Sequence, residues 1–80
     1  MLRIYTQDNC KYCDELKKNL DDWAIEYSIV NITHNDVGKQ FLKKKGLKTV
    51  PQLFDDDIHI NEGMNTSEIT REIIESAIKK

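Results

Sequence analysis

Two cysteines are the residues of this chain whose type and spacing best suit chemistry. Cys10 and Cys13 are the only cysteines among its 80 residues, and two residues separate them. A pair at this spacing can cycle between dithiol and disulfide, or it can ligate a metal ion or an iron–sulfur cluster. A disulfide between them closes so small a loop that it adds little stability. In a reducing compartment, the pair is therefore predicted to react rather than to hold the fold.

A helix is predicted to begin near the first cysteine, because apolar residues recur from there at three- and four-residue spacing. These residues are Cys13, Leu16, Leu20, Trp23 and Ala24. Asn9 is the predicted N-cap. Amides at a helix N-terminus lower the pKa of a thiol from about 8.5 to between about 3.5 and 7.5. We therefore expect Cys10 to titrate below Cys13 and to be the nucleophile, while Cys13, one turn deeper, resolves a mixed disulfide on Cys10.

A zinc site is an alternative use of the pair that the other residues disfavour. Tetrahedral zinc needs two further ligands. The only histidines, His34 and His59, lie far apart in the sequence and lack the spacing of a zinc finger. We expect both histidines to face solvent from a loop or a strand, and we expect no bound metal.

Hydrophobic periodicity predicts four strands in two pairs. Segments 2–5 and 25–32 are rich in apolar and β-branched residues, which predicts two parallel strands joined by the first helix. Segment 53–60 carries three aspartates at 55–57, which predicts an antiparallel hairpin with an acidic turn.

Two further helices are predicted from caps and terminators. The second is capped within 33–36 and ends at Gly46. Its inward-facing residues are predicted to be Val37, Phe41 and Leu42. The third helix opens with Asn65 or Thr66 as its cap.

The order of these elements, β-α-β-α-β-β-α, predicts a single α/β domain over residues 1–80. Its four-stranded mixed sheet is flanked by three helices that cover both faces. The cysteines directly follow the first strand, at the carboxyl end of the parallel pair. Ligands of such sheets bind at that end, so the chemistry is expected there.

Composition disfavours several classes of partner. With 12 Lys plus Arg and 14 Asp plus Glu the net charge is −2, which argues against nucleic acid as the main partner. No apolar run approaches the roughly 20 residues of a membrane-spanning helix. Residues 1–6 lack the basic and apolar segments of a secretory signal. We therefore expect a cytoplasmic protein with neither nucleic-acid nor membrane partners.

Two segments together resemble the signatures of dithiol glutaredoxins, which have the thioredoxin fold. They are Ile4-Tyr5-Thr6-Gln7-Asp8-Asn9-Cys10-Lys11-Tyr12-Cys13 and Thr49-Val50-Pro51-Gln52. The resemblance, to the small bacterial or phage type, implies an oxidoreductase that reduces protein disulfides and glutathione mixed disulfides, with glutathione as co-substrate. It also implies a monomer that serves clients such as ribonucleotide reductase, the enzyme of deoxyribonucleotide synthesis.

The resemblance also implies which residues bind substrate. Pro51 is expected to be cis and to face the cysteines, and Val50 to pair through its backbone with a substrate peptide. An edge-strand proline that prevents aggregation is the alternative for Pro51. The other residues implied to bind glutathione are Tyr12, Lys48, Thr49, Asn65 and Thr66. Tyr12 and Lys48 can equally be surface residues, and Asn65 and Thr66 can equally be caps.

Departures from the family pattern keep two other functions open. They are Lys11 in place of proline, Gln7 in place of lysine, Asn61-Glu62 at the usual diglycine, and Gly38 near the usual glutamine or arginine. Each removes a donor or a backbone fit for glutathione, which predicts weaker binding. The alternatives are a thioredoxin-like redoxin recharged by a flavoenzyme, and a dimer that shares an iron–sulfur cluster through Cys10 and glutathione.

Overall fold

The strands and α-helices follow one another along the chain in the predicted order, β-α-β-α-β-β-α. The structure, a computed structural model, describes residues 1–78. Within them the elements are strand β1 (Leu2–Thr6), helix α1 (Lys11–Asp22), strand β2 (Ser28–Asn31), helix α2 (Asp36–Lys44), strand β3 (Gln52–Asp55), strand β4 (Ile58–His59), a 3-10 helix (Thr66–Glu68) and helix α3 (Arg71–Ile78). The α/β class, the four-stranded mixed sheet and the three flanking helices are therefore confirmed for the described residues.

The sheet has the order β2-β1-β3-β4, so β1 is a central strand. It runs parallel to β2 and antiparallel to β3, and β3 and β4 form the predicted hairpin. Tyr5 near the end of β1 pairs with Gln52 at the start of β3. Because the two strands run in opposite directions, the segment after β1 and the segment before β3 meet at the same edge. The topology thereby places the cysteine segment and Pro51 at the same edge of the sheet.

The sheet carries a hydrophobic cluster on each face, because neighbouring residues of a strand point in opposite directions. Ile4 and Leu53 belong to the larger cluster, and their neighbours Tyr5 and Phe54 belong to the smaller one. The larger cluster is formed by Leu2, Ile4, Leu16, Leu20, Leu53, Ile60, Ile69 and Ile74. It binds α1 and α3 to one face. The smaller, aromatic cluster binds α2 to the other.

Helix α2 faces the sheet differently from the prediction. Val37 was predicted to point inward, but it is 81% exposed. Gly38 and Leu42 form the buried stripe instead. A Cβ at Gly38 would lie only 2.5 Å from Val30 Cγ1, so the absence of a side chain lets α2 approach β2. This close approach rotates Val37 toward solvent.

Neither a grouped metal site nor a membrane-spanning helix occurs among residues 1–78. No three side chains of the types His, Cys, Asp and Glu are grouped so that they could hold a metal ion. No helix in this range has both the length and the apolar character needed to cross a membrane.

Candidate active site

Cys10 and Cys13 lie at the first turn of α1 and are joined by a disulfide. Their Cα atoms are 5.2 Å apart. Cys10 is half-buried, whereas Cys13 is only 1% exposed. The burial of Cys13 agrees with the prediction that it lies one turn deeper. Cys10 is therefore the more accessible residue of the pair, and Cys13 is enclosed.

The backbone before α1 directs the helix N-terminus at Cys10. Asn9 adopts a φ of 57°, in the left-handed region that asparagine tolerates. The helix therefore begins one residue later than expected, and Cys10, not the predicted Asn9, is the N-cap. The Cys13 backbone N–H donates to Cys10 Sγ at 3.1 Å. Because the first-turn amides carry partial positive charge, this position favours negative charge on Cys10 over Cys13.

A polar network ties the turn before Cys10 to the loop after β2. The Asp8 carboxylate accepts hydrogen bonds from Asn31 Nδ2 and His34 Nε2, each at 2.8 Å. The Asp8 backbone N–H donates to Thr33 Oγ1 at 2.9 Å. The hydrogen bond from Asn31 and, second, that from His34 lower the pKa of the Asp8 carboxyl below its ordinary value. His34 is exposed, as predicted.

A cleft of about 750 Å³ opens beside Tyr12, the residue just before Cys13. This volume is in the range of small-molecule sites. Tyr12 and Glu15 of α1, segment 49–52 and segment 61–67 contribute to its lining. Glu15 and Glu62 are its acidic residues, and none of the described residues that line it is lysine or arginine. His59 is the basic residue of the described lining, so the cleft offers an anionic ligand neither a lysine nor an arginine.

The segment Thr49-Val50-Pro51-Gln52, here called the proline loop, forms one wall of the cleft. The Val50–Pro51 peptide bond is cis, as the resemblance implies. Pro51 and Gln52 are buried, Val50 is half-buried and Thr49 is exposed. The loop lies at the edge of the sheet where β1 ends, so it and the cysteines share one end of the molecule.

Hydrogen bonds from side chains of the β3–β4 hairpin and its flank hold the proline loop. Gln52 Nε2 donates to Thr49 O at 3.0 Å and to Thr49 Oγ1 at 3.2 Å. His59 Nε2 lies 2.7 Å from Gln52 Oε1. Asn61 Nδ2 donates to Pro51 O at 3.2 Å. The loop is thus attached to β4 and to the residues just after it.

The glutaredoxin family model matches residues 2–60. This chain belongs to the glutaredoxin family. Glutaredoxin 1 of Rickettsia felis is 40% identical over 60 residues, which cover 71% of this chain and 59% of that protein. The chain thus spans about three fifths of the length of this relative.

Solved structures show the same glutaredoxin-like architecture. The NrdH-redoxin of Escherichia coli, described as a glutaredoxin-like protein, superimposes with a TM-score of 0.68 at 19% identity. It covers 72% of this chain, and 76% of its own length is matched. A buckwheat glutaredoxin–glutathione complex has a TM-score of 0.62 at 27% identity, with 74% of this chain and 57% of that chain covered. The thioredoxin-like fold is therefore confirmed.

Most residues that the glutaredoxin resemblance assigns to substrate binding line the cleft. They are Tyr12, Thr49, Val50, Pro51, Asn65 and Thr66. Lys48 is exposed and is not part of the lining. The last helix begins at Arg71, so the prediction that Asn65 or Thr66 caps it was wrong. These two residues start the 3-10 helix instead, and the Asn65 N–H donates to Glu68 Oε1 at 3.2 Å.

Sequence reasoning missed the residues that support the proline loop of this glutaredoxin. His59 was expected to face solvent, but it is half-buried, and its ring stacks on Phe54 with centroids 4.6 Å apart. Gln52 and Asn61 are 6% and 5% exposed. The only signal in the sequence was the position of these polar residues beside the apolar residues Leu53, Phe54, Ile58 and Ile60 of the hairpin. Buried polar side chains need partners, so such positions indicate a hydrogen-bond network.

Proposed function

We propose that the chain is a glutathione-dependent thiol–disulfide oxidoreductase that reduces protein disulfides and glutathione mixed disulfides. The supporting observation is the pair of unequal sulfurs at the N-terminus of α1. Cys10 is the half-buried cap and Cys13 is enclosed. Cys10 acts as the nucleophile and Cys13 as the resolving thiol. Family membership gives the same reaction class.

The proposed reaction proceeds by two thiol–disulfide exchanges. The Cys10 thiolate attacks one sulfur of the substrate, so that a Cys10–substrate bond forms and the other substrate sulfur leaves as thiolate. Cys13 then loses its proton and attacks Cys10 Sγ, which forms the Cys10–Cys13 disulfide and releases the second sulfur. Two electrons have passed to the substrate. Two glutathione molecules return the pair to dithiol and leave as glutathione disulfide.

The residues around the pair have distinct proposed roles. The first-turn amides, including the Cys13 N–H at 3.1 Å from Cys10 Sγ, stabilise the Cys10 thiolate and make it the more acidic thiol. The Val50 backbone pairs with the substrate peptide. Tyr12 and Thr49 flank the bound glutathione, and Lys48 attracts its glycine carboxylate from outside the cleft.

Asn65 and Thr66 are proposed to contact the γ-glutamyl end of glutathione, because both line the cleft. The buckwheat glutaredoxin, 27% identical, was solved with glutathione, which supports this choice of co-substrate. We also propose that the protein acts as a cytoplasmic monomer with clients such as ribonucleotide reductase.

A thioredoxin-like redoxin recharged by a flavoenzyme is the second candidate. Two observations favour it. The cleft carries Glu15 and Glu62 but, among the described lining residues, neither lysine nor arginine, whereas glutathione brings two carboxylates. The Asn65 N–H, one of the amides that would bind such a carboxylate, already donates to Glu68. The two candidates differ in the electron donor that reduces the Cys10–Cys13 disulfide, which is glutathione in the first and a flavoenzyme in the second.

A glutathione-coupled assay on a small mixed disulfide tests the proposal. The parent is expected to turn over with glutathione as the electron source. Cys10→Ser should be inactive, because it has no attacking sulfur. Cys13→Ser should still remove glutathione from mixed disulfides but lose the two-thiol reduction of proteins. A parent that is recharged only by a flavoenzyme reductase would favour the second candidate.

Alkylation of the reduced protein against pH tests the assignment of the two thiols. We expect the rate for Cys10 to rise at a lower pH than that for Cys13. Cys13 as the more acidic thiol would overturn the assignment of the nucleophile.

A further inference from the structure

The strongest feature that the reaction scheme leaves unused is the contact between His59 and Gln52. The two residues lie seven positions apart, and His59 Nε2 is 2.7 Å from Gln52 Oε1. The imidazole stacks on Phe54 at an interplanar angle of 5°. Phe54 is only 1% exposed and belongs to the aromatic cluster under α2. The core therefore fixes the plane of the His59 ring.

The hydrogen-bond partners determine which atom donates. The Thr49 carbonyl can only accept, so the Gln52 amide nitrogen must face it at 3.0 Å. Gln52 Oε1 is then the atom that faces His59. Because an amide oxygen only accepts, His59 Nε2 carries the proton and donates. The result is a directed chain of hydrogen bonds from His59 through Gln52 to Thr49.

This chain sets the direction of the Val50 N–H. The Thr49 C=O and the Val50 N–H belong to one planar peptide unit. When Gln52 holds the Thr49 oxygen, it also fixes the direction of the Val50 N–H. Asn61 fixes the far end of the loop, because its Nδ2 donates to Pro51 O and its Oδ1 accepts from the Leu53 N–H at 3.0 Å.

We propose that His59 and Gln52 are positioning residues that orient the Val50 N–H toward the substrate peptide. The inference rests on the proposed oxidoreductase function and adds the residues that set its substrate geometry. His59 is the better residue to vary. Gln52 is buried and belongs to β3, and Asn61 also bonds within the hairpin, so changes at either affect the fold more directly.

Three substitutions of His59 distinguish the effect of losing its hydrogen-bond donor from the effect of losing its stack on Phe54. His59→Gln removes the stack on Phe54 but places an amide donor near the position of Nε2. His59→Asn also removes the stack, and its shorter side chain does not reach Gln52. His59→Phe keeps the stack and removes the donor. The Gln and Asn variants share any loss of packing. Because His59 also lines the cleft, the Val50 amide resonance of the free protein is measured beside KM to separate the hydrogen bond from direct contact with the ligand.

The measurements are kcat and KM for a glutathionylated peptide, and the alkylation rate of reduced Cys10 by iodoacetamide. We expect His59→Asn and His59→Phe to raise KM about fivefold, the size that loss of one net hydrogen bond gives. His59→Gln should retain the parent KM. The kcat value and the alkylation rate should stay at the parent level, since iodoacetamide does not use the Val50 backbone.

Three results would overturn the proposal. The first is an equal KM in all four proteins, and the second is an equal rise of KM in the Gln and Asn variants. The third is a parallel fall in kcat and alkylation rate, which would indicate damage to the cysteines or to the fold. A parent without turnover would remove the proposed function itself. In that case the NMR chemical shift of the Val50 amide tests the positioning role. It must change in the Asn and Phe variants and match the parent in the Gln variant.

Discussion

The two segments that form the site, the cysteine turn 10–13 and the proline loop, are supported in opposite ways. At the cysteine turn, the contact to the sulfur is local, because the Cys13 N–H and Cys10 Sγ are three residues apart; distant residues reach only Asp8, before the turn. The proline loop depends on side chains of another strand and its flank, because His59 lies seven residues from Gln52 and Asn61 lies ten from Pro51. The first segment is therefore shaped mainly by its own backbone, and the second by side chains that the hairpin brings to it.

This difference predicts different tolerance to substitution. A helix N-terminus keeps its amides whatever the exposed side chains are, so the cysteine turn should accept changes that respect helix geometry. The proline loop is held by a few buried or partly buried hydrogen bonds. Breaking any one of them leaves a polar group without its partner. Changes behind the loop should therefore cost more than changes within the turn.

The largest expected effect is that of Asn61→Ala, which removes a remote support. It leaves the Leu53 N–H and the Pro51 carbonyl without the bonds that Asn61 makes to them. Two buried polar groups without partners predict a loss of about 2–4 kcal/mol in the free energy of unfolding. Urea denaturation measures it. Glu62→Ala, next in sequence and exposed, is the control and should change stability little. Equal stability of both variants would contradict the comparison.

The second prediction concerns the cysteine turn, where Lys11 is the first residue of α1. Proline is well suited to this helix position, because the N–H it removes has no partner within the helix. Cys10 has an extended conformation with φ −107° and ψ 103°, which a following proline accepts. We expect Lys11→Pro to raise stability by about 0.4–1 kcal/mol.

Thermal unfolding of the oxidised protein measures the effect of Lys11→Pro. Lys18→Pro, inside the same helix, is the control and should cost about 3 kcal/mol or more. A loss of stability in Lys11→Pro would show that the turn is less autonomous than its geometry indicates.

The same contrast explains how much of the molecule the sequence predicts. The element order and the deeper position of Cys13 relative to Cys10 follow from local periodicity and spacing. Two of the errors arose where the tertiary structure decides. Val37 is exposed and Gly38 is buried in its place, because only glycine fits against Val30. His59 was misassigned for the same reason, since its partners Gln52 and Phe54 come together only in the folded hairpin.

The third prediction addresses the charges on the cleft, where the two segments meet. Glu15→Gln combined with Glu62→Gln removes both acidic side chains from the lining. We expect kcat/KM for glutathione to rise about threefold at low ionic strength, because exposed charges contribute modestly. The gain should shrink as salt is added.

The matched control for the cleft charges is Glu26→Gln combined with Glu72→Gln. This pair makes the same change in net charge on exposed positions outside the cleft. A gain of the same size in both double variants would mean that net charge, rather than the cleft, governs the reaction with glutathione.

The smallest expected effect is that of the surface network that ties Asp8 to the loop after β2. The folded protein lowers the pKa of Asp8 below its ordinary value of 3.8, chiefly through the hydrogen bond from Asn31 and then through that from His34. A lowered pKa means that the ionised carboxylate favours the folded state. Its contribution is fully present above about pH 4 and is lost as the pH falls through the folded pKa.

Unfolding of Asp8→Asn at a series of pH values tests this contribution. The variant should be slightly less stable than the parent near pH 6, and the difference should shrink as the pH falls below about 4. In an Asn31→Ala background, where the main cause of the shift is absent, the same substitution should show a weaker pH dependence. A difference that stays constant with pH in both backgrounds would mean that Asp8 acts only through its backbone bond to Thr33. The tie between the cysteine turn and the loop after β2 would then consist of that single backbone bond.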